Sequence, residues 1–299
     1  MSAPFILPAR AKINLHLRVL FRRPDGYHEL RTVFQTIDLA DTLTLTSRSD
    51  GRLSLACDVP EVPVDEHNLC LQAARRLREA SGHAGGAHID LIKRIPVQAG
   101  LGGGSSDAAA TLLGLNRLWG LDRTIGELAE IGASLGADVP FFLIGGTALG
   151  IGRGDELVPL PDAVGKTVLV VSPPVAVSTA WAYERLNFIL TKMPETATIG
   201  GLHRVLAQGA VDLRNCTNDF ELAVFPEFPL LLRIKHLLLE AGASQAMLSG
   251  SGGSLFGLFE SDVMCQTAVQ LLQARQVPGR FIPARFVTRQ EHGKAFARP

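Results

Sequence analysis

Pro96-Val97-Gln98-Ala99-Gly100-Leu101-Gly102-Gly103-Gly104-Ser105-Ser106-Asp107-Ala108-Ala109-Ala110 is the stretch on which the reading of this chain turns. Gly100, Gly102, Gly103 and Gly104 lack a Cβ, so their backbone can take positive φ and approach a ligand, at an entropic cost an ordinary loop has no reason to bear. Ser105, Ser106 and Asp107 suit a helix cap or first turn, and apolar residues then recur at Ala108, Leu112, Leu115 and Trp119, the spacing of one helical face. A helix therefore starts at the loop. Its first amides are unsatisfied and its dipole is positive at that end, which makes loop and helix together an anion site suited to phosphate. Two familiar phosphate loops do not fit. A Walker A loop ends in Gly-Lys-Ser/Thr, whereas Gly104 precedes Ser105 and no lysine occurs from Val97 to Leu121. A dinucleotide fingerprint needs an acidic residue at the end of a second strand about 20 residues on, where Gly120-Leu121-Asp122-Arg123-Thr124 opens another helix. On the residues alone, a plain glycine hinge before a core helix stays open as the alternative.

At 299 residues the chain suits two domains, and 46% hydrophobic against 19% charged residues leaves ample material for packed interiors. The 29 basic and 29 acidic side chains cancel, so the overall electrostatic footprint of a nucleic-acid or anionic-membrane binder is missing. Cys57, Cys70, Cys216 and Cys265 form no Cys-x-x-Cys pair and read as reduced core residues. The chain does not open on a basic start with a long apolar run, and no segment reaches about 18 uninterrupted apolar residues. The expectation is a cytoplasmic protein with a small-molecule partner and neither nucleic acid nor membrane.

Apolar residues alternate at Ile13, Leu15, Leu17 and Val19, the pattern of a strand with one buried face. Lys12, Asn14, His16 and Arg18 face the other way; a solvated surface and the lining of a site both fit. Pro24-Asp25-Gly26 turns the chain into a strand from Glu29 to Leu39, with further strands at Thr42–Thr46 and Arg52–Ala56 in a mainly antiparallel sheet. Asn68 leads a helix over Leu69–Ala80, and a strand over Ala87–Ile95 feeds the glycine loop. A helix over Ile125–Leu135 follows, and Asp138, just before Val139-Pro140, reads on the residues alone as a helix cap. A boundary near Leu160-Pro161-Asp162 divides the chain into 1–161 and 162–299. The second part is expected to hold a strand at Lys166–Ser172, helices at Ser178–Leu186, Thr198–Gln208, Glu227–Glu240 and Asp262–Gln276, a glycine turn within Met247–Phe259 and a strand near Phe281–Thr288.

Pro8–Leu15, Pro96–Ala110 and Leu248-Ser249-Gly250-Ser251-Gly252-Gly253 resemble, in the same order, the three motifs of the small-molecule kinases grouped as galactokinase, homoserine kinase, mevalonate kinase and phosphomevalonate kinase. Further matches are Pro24-Asp25-Gly26-Tyr27-His28, the triple glycine with Ser105-Ser106-Asp107, Leu135–Pro140 and Asn218-Asp219-Phe220-Glu221. These are similar to the branch whose acceptor is a CDP-linked methylerythritol of non-mevalonate isoprenoid synthesis; a homoserine or mevalonate type remains the alternative. The resemblance implies an α+β fold of two domains, one like ribosomal protein S5 domain 2 and one ferredoxin-like, with the site in the cleft. It implies ATP with Mg2+, the phosphates lying along Pro96 to Ser106, Asn68 and Lys93 near the adenosine, and Ser106 as a metal ligand. Asp138 matches the general base, Lys12 the cation that stabilises the transferring group, and Asn14 a partner for acceptor hydroxyls. Tyr27 and Tyr183 match residues that stack on cytosine, and His28 the residue that reads its edge. A monomer or a homodimer is expected.

Overall fold

The computed structural model describes residues 4–190 and 211–296. Its first sheet is built on two long strands, β1 (Phe5–Arg22) and β2 (His28–Arg48), paired antiparallel. The stretches read as separate strands before and after residue 40 are one strand of 21 residues. β2 pairs on its other side with β4 (Gly86–Ile92) and β5 (Thr147–Gly152). β3 (Leu53–Cys57) runs parallel to β4, and β6 (Glu156–Pro159) closes the far edge. Helices α1 (Leu69–Ser81), α2 (Gly103–Leu118), α3 (Ile125–Ala133) and α4 (Val139–Ile144) belong to this half. The first core joins α1, α2 and α4 to Leu7, Ala9, Leu43, Leu45 and Ile89 of the sheet.

The second sheet has the order β10-β7-β9-β8, antiparallel throughout: β7 (Thr167–Ser172), β8 (Gln245–Leu248), β9 (Leu255–Phe259) and β10 (Arg280–Arg285). Its Leu169, Val171 and Leu255 pack with α5 (Thr179–Leu190), α6 (Phe220–Glu227), α7 (Pro229–Glu240) and α8 (Asp262–Ala274). The long helix expected over Glu227–Glu240 is thus α7, with α6 before it. The helix expected over Thr198–Gln208 lies outside the described residues. Between the sheets is a third core of Ala11, Ile13, Leu15, Val33 and Ile37 against Val168, Val170, Phe256 and Leu258. The layers are helices, sheet, sheet, helices. β1 serves all three cores in turn, Leu7 and Ala9 the first, Ala11 to Leu15 the middle one, Leu17 and Val19 the last.

Burying both faces of β1 settles what its polar residues face. Lys12, Asn14 and His16 are 4%, 2% and 1% exposed, so the solvated-face reading fails for them. The chain ends by crossing back. Val287 N donates to Thr36 O, and α9 (Arg289–Lys294), held by a Thr288–Glu291 capping box, sets His292 Nε2 2.9 Å from the carbonyl of Phe142 in α4. Such a box satisfies two end amides at once, which lets so short a helix form.

Candidate active site

Two cavities meet at the glycine loop. One, of about 380 Å3, is lined by Pro96–Ser105 together with Pro63, Asn68, Lys93 and Asp107. The other, of about 220 Å3, is lined by Lys12, Asn14, Thr32, Asp138, Arg153 and Tyr183 among others. Only Gly100 and Gly102 belong to both walls.

Gly102 has φ +72° and stands at the N-cap of α2, which puts Ser105 in the first turn and leaves the helix without a side-chain cap. A Cβ there would lie 2.5 Å from the Phe142 ring and 3.1 Å from Lys12 Cγ. At Gly100, φ +77°, a Cβ would lie 2.0 Å from the carbonyl oxygen of Ser249. The glycine turn of the second half is packed backbone to backbone on the loop, and Ser249 Oγ donates to Gly100 O at 3.0 Å. That turn is held in its turn by Asn218, whose Nδ2 donates to the carbonyls of Leu248 and Gly250, both at 2.8 Å. Asp219 accepts from Val19 N and Arg18, and Glu221 from Leu248 N. The Asn218–Glu221 motif is therefore a bracket between the halves.

Beneath the loop, the Lys93 ammonium lies between Asp41 and Asp107, the latter at 2.7 Å. Asp41 also accepts from the backbone N–H of Arg94 and of Ile95. The bridge ties the strand side of the loop to its helix side. Burial opposes the ammonium, but the two carboxylates outweigh it and raise the Lys93 pKa; burial also drives Asp107 upward against the pull of Lys93. Lys93 thus lines the cavity with its charge already paired. Asn68 lines it too, but Oδ1 accepts from Cys70 N as the cap of α1 and Nδ2 donates to Pro63 O. The expected metal ligand, Ser106, is turned away: it is 2% exposed, its hydroxyl donates to Arg10 O at 2.6 Å, and Ser105 is the serine on the wall. One position along a helix turns a side chain by about 100°, so neighbouring serines face different ways.

In the second cavity Lys12 Nζ lies 3.5 Å from Asp138 Oδ2 and 2.7 Å from Asn14 Oδ1. The lysine side chain is 5% exposed and the aspartate 33%, so a buried cation faces a carboxylate that solvent and ligand can still reach. Asp138 occupies the N-cap position of α4 with helical dihedrals and no capping hydrogen bond, and so is not the cap the residues alone suggested. Asn14 is placed beside Lys12 with both ends of its amide engaged, Nδ2 donating to Thr32 Oγ1.

Of the two tyrosines matched to cytosine stacking, Tyr183 lines the second cavity and Tyr27 does not. His28 is stacked on Tyr183 with centroids 5.0 Å apart, and Phe220 meets Tyr183 edge-on. Tyr27 is 56% exposed, with the Arg153 guanidinium 4.9 Å over its ring. His28 Nε2 is buried without a hydrogen-bond partner among the described residues. Burial lowers its pKa, opposed by a hydrogen bond to the Asn187 side chain. Arg153 and Thr32 escaped the sequence reading. Arg153 sits in a glycine-rich passage with no signal beyond its charge, and Thr32 in the middle of an ordinary strand.

A phosphate loop at a helix start, beside a buried lysine facing an accessible aspartate in a two-sheet α+β fold, defines a kinase acting on small alcohols. The GHMP kinases N terminal domain model matches residues 68–146 and the GHMP kinases C terminal model residues 200–263. A 4-diphosphocytidyl-2-C-methyl-D-erythritol kinase of Synechococcus sp. (strain JA-2-3B'a(2-13)) is 47% identical over 265 residues, 85% of each chain. That of Solibacter usitatus is 47% identical over 270 residues, covering 89% of this chain and 84% of its own. The crystal structure of a 4-(cytidine 5'-diphospho)-2C-methyl-D-erythritol kinase superposes with a TM-score of 0.76 at 36% identity, over 94% of this chain and 98% of the other. A homoserine kinase from Cytophaga hutchinsonii, 22% identical with a TM-score of 0.78, shares the fold over 96% of both chains. The chain belongs to the GHMP kinases, and within them to the 4-diphosphocytidyl-2-C-methyl-D-erythritol kinase family. Kinases of this group take their phosphoryl group from ATP. Among the described residues, no helix is long and apolar enough to cross a membrane.

Proposed function

We propose that this chain transfers the terminal phosphoryl group of ATP to the 2-hydroxyl of 4-diphosphocytidyl-2-C-methyl-D-erythritol, with Asp138 as general base and Lys12 as the stabilising cation. The observation that carries the reading is the junction of the two cavities: they share Gly100 and Gly102, and the Lys12–Asp138 pair stands on the acceptor side of that junction. Phosphoryl transfer asks a protein for alignment, charge neutralisation and a proton acceptor. The glycine-loop amides and the start of α2 bind the phosphates. The accessible carboxylate of Asp138 takes the hydroxyl proton as the acceptor oxygen attacks phosphorus. The Lys12 ammonium lies 3.5 Å from that carboxylate and faces the charge that builds on the transferring group.

Mg2+ carried on the phosphates supplies further charge neutralisation when bound. The Ser105 hydroxyl, on the wall of the larger cavity, is the group that fits it. Asn68 and Lys93 shape that cavity around the adenosine rather than offering free polar atoms to it. For the cytidine end, Tyr183 offers a stacking surface, and the orphan Nε2 of His28 suits the edge of a pyrimidine. The base would take the place His28 now holds on Tyr183, with Tyr27 folding in from the surface; stacking of this kind contributes about 1–3 kcal/mol per base. The proposed domain division at 161/162 is supported by its position in the connection between β6 and β7.

The test is ADP release from ATP with the CDP-linked alcohol, a uridine analogue, homoserine and mevalonate as acceptors. Turnover of the CDP-linked alcohol well above the uridine analogue is expected. Turnover of homoserine or mevalonate with none of the CDP-linked alcohol would overturn the reading.

A further inference from the structure

The amide of Asn14 is the middle of a hydrogen-bond chain with a fixed direction. Lys12 Nζ donates to Asn14 Oδ1 at 2.7 Å, Asn14 Nδ2 donates to Thr32 Oγ1 at 2.8 Å, and Thr32 Oγ1 donates to the backbone carbonyl of His16 at 2.9 Å. Lys12, Asn14 and Thr32 are at most 4% exposed, so water does not substitute for any link. The direction is set at the far end. A backbone carbonyl only accepts, so the threonine proton points at His16 O and the threonine lone pairs face Asn14. Only the NH2 end of the amide can satisfy them. The carbonyl end is therefore turned to the lysine, where an ammonium, donor only, requires an acceptor. Without the hydroxyl, the buried Asn14 NH2 loses its acceptor and the amide is held at one end only, by the ammonium it is meant to position.

We propose that Thr32 is a positioning residue for phosphoryl transfer: through the orientation of Asn14 it aims the Lys12 ammonium at Asp138 and the junction of the cavities. The inference rests on the reading of Lys12 and Asp138 given above. Its methyl does separate work, lying where a Cβ on Gly150 would come within 3.0 Å of Thr32 Cγ2, so the hydroxyl and the packing can be separated by substitution.

The experiment compares Thr32→Val, which keeps the shape and removes the hydroxyl, with Thr32→Ser, which keeps the hydroxyl, each alone and combined with Lys12→Met. Steady-state kinetics and thermal melting are measured on the full chain. Thr32→Val is expected to lower kcat at least about 10-fold with KM for ATP changed less than about 2-fold, and Thr32→Ser to restore kcat to within about 3-fold of the parent. In the Lys12→Met background, Thr32→Val should cost little more, because it acts through the residue already removed. The proposal is overturned if Thr32→Val keeps full kcat, if serine fails to rescue, or if the two losses multiply. Should Lys12→Met alone leave kcat intact, it is the role of Lys12 that falls. If the valine chain does not fold, Thr32→Ala, which also lacks the hydroxyl, takes its place with the same expectations.

Discussion

Asp138 can serve chemistry because the helix it introduces does not use it. α4 is six residues long with Pro140 in its first turn, and the Asp138 carboxylate makes no capping bond. Asp138→Asn removes no cap but takes the charge partner from the buried Lys12 ammonium, and is expected to lower the unfolding free energy by about 1–3 kcal/mol. As loss of a general base, it should lower kcat by about 10²- to 10⁴-fold. Denaturant titration and single-turnover kinetics on the same preparation test both halves; full activity in the asparagine chain would remove the base assignment. At this scale the sequence was informative in kind but not in orientation. Alternation placed Lys12 and Asn14 on one face of a strand, yet what covers that face is Thr32 and Phe34 of the next strand together with residues some 90 to 240 positions later. Whether Ser105 or Ser106 faces the loop depends on where the helix starts. The composition of the stretch left cap and first turn open for the serines, and the left-handed Gly102 at the N-cap puts Ser105 in the first turn.

The glycine loop is an element that cannot fold into its shape without a second one. Gly100 has left-handed backbone and no room for a side chain against Ser249 O, whereas at Gly104 a Cβ would meet only Leu69 Cδ1 at 3.6 Å. Gly100→Ala is expected to cost about 1–3 kcal/mol of stability and to weaken nucleotide binding at least about 10-fold, as read by chemical denaturation and by titration with a fluorescent ATP analogue. Gly104→Ala should cost little stability, an outcome that separates packing of the turn from the general flexibility of glycine. The presence of a glycine loop before a helix was legible because glycines, serines and the apolar repeat agreed. The partner turn was visible as a second glycine run and as a match to the third kinase motif, but nothing local says that two backbones will touch. Among the helices, α6 has Pro226 inside it and little amphipathic pattern, and α9 depends on a capping box rather than on periodicity, which is why the apolar spacing did not announce them.

At the scale of the whole molecule, two buried histidines contribute a loss of stability toward acid. Burial, with Arg18 second, pushes His16 down to about 4; burial, against its bond to Phe142 O, does the same to His292. In the unfolded chain each would bind its proton near the ordinary value of 6.5. Between those limits the unfolded state holds more protons, so stability is full above about pH 6.5 and falls as pH drops toward 4, by up to about 3 kcal/mol for each group. Thermal melting from pH 7 to pH 4.5 should show this slope, and His292→Gln should flatten part of it. An unchanged slope would mean that the histidine is not held neutral. Neither burial was legible in advance, because His16 shares its strand face with Lys12, and His292 lies in a tail that crosses from the second sheet to α4. The four-layer order itself was within reach only as a two-domain α+β class, since sheet-on-sheet contact is written in no single strand.

The backbone contact between Gly100 and Ser249 carries one more consequence. The nucleotide cavity has its shape only when the loop of the first half is seated on the turn of the second, so ATP recognises the complete fold and not its parts. A ligand selective for the native chain adds to its stability by mass action, about 2.7 kcal/mol at a hundred times its dissociation constant. Phosphoryl donor and folding ligand are then the same molecule, and a cell depleted of ATP would hold a larger share of this chain unfolded.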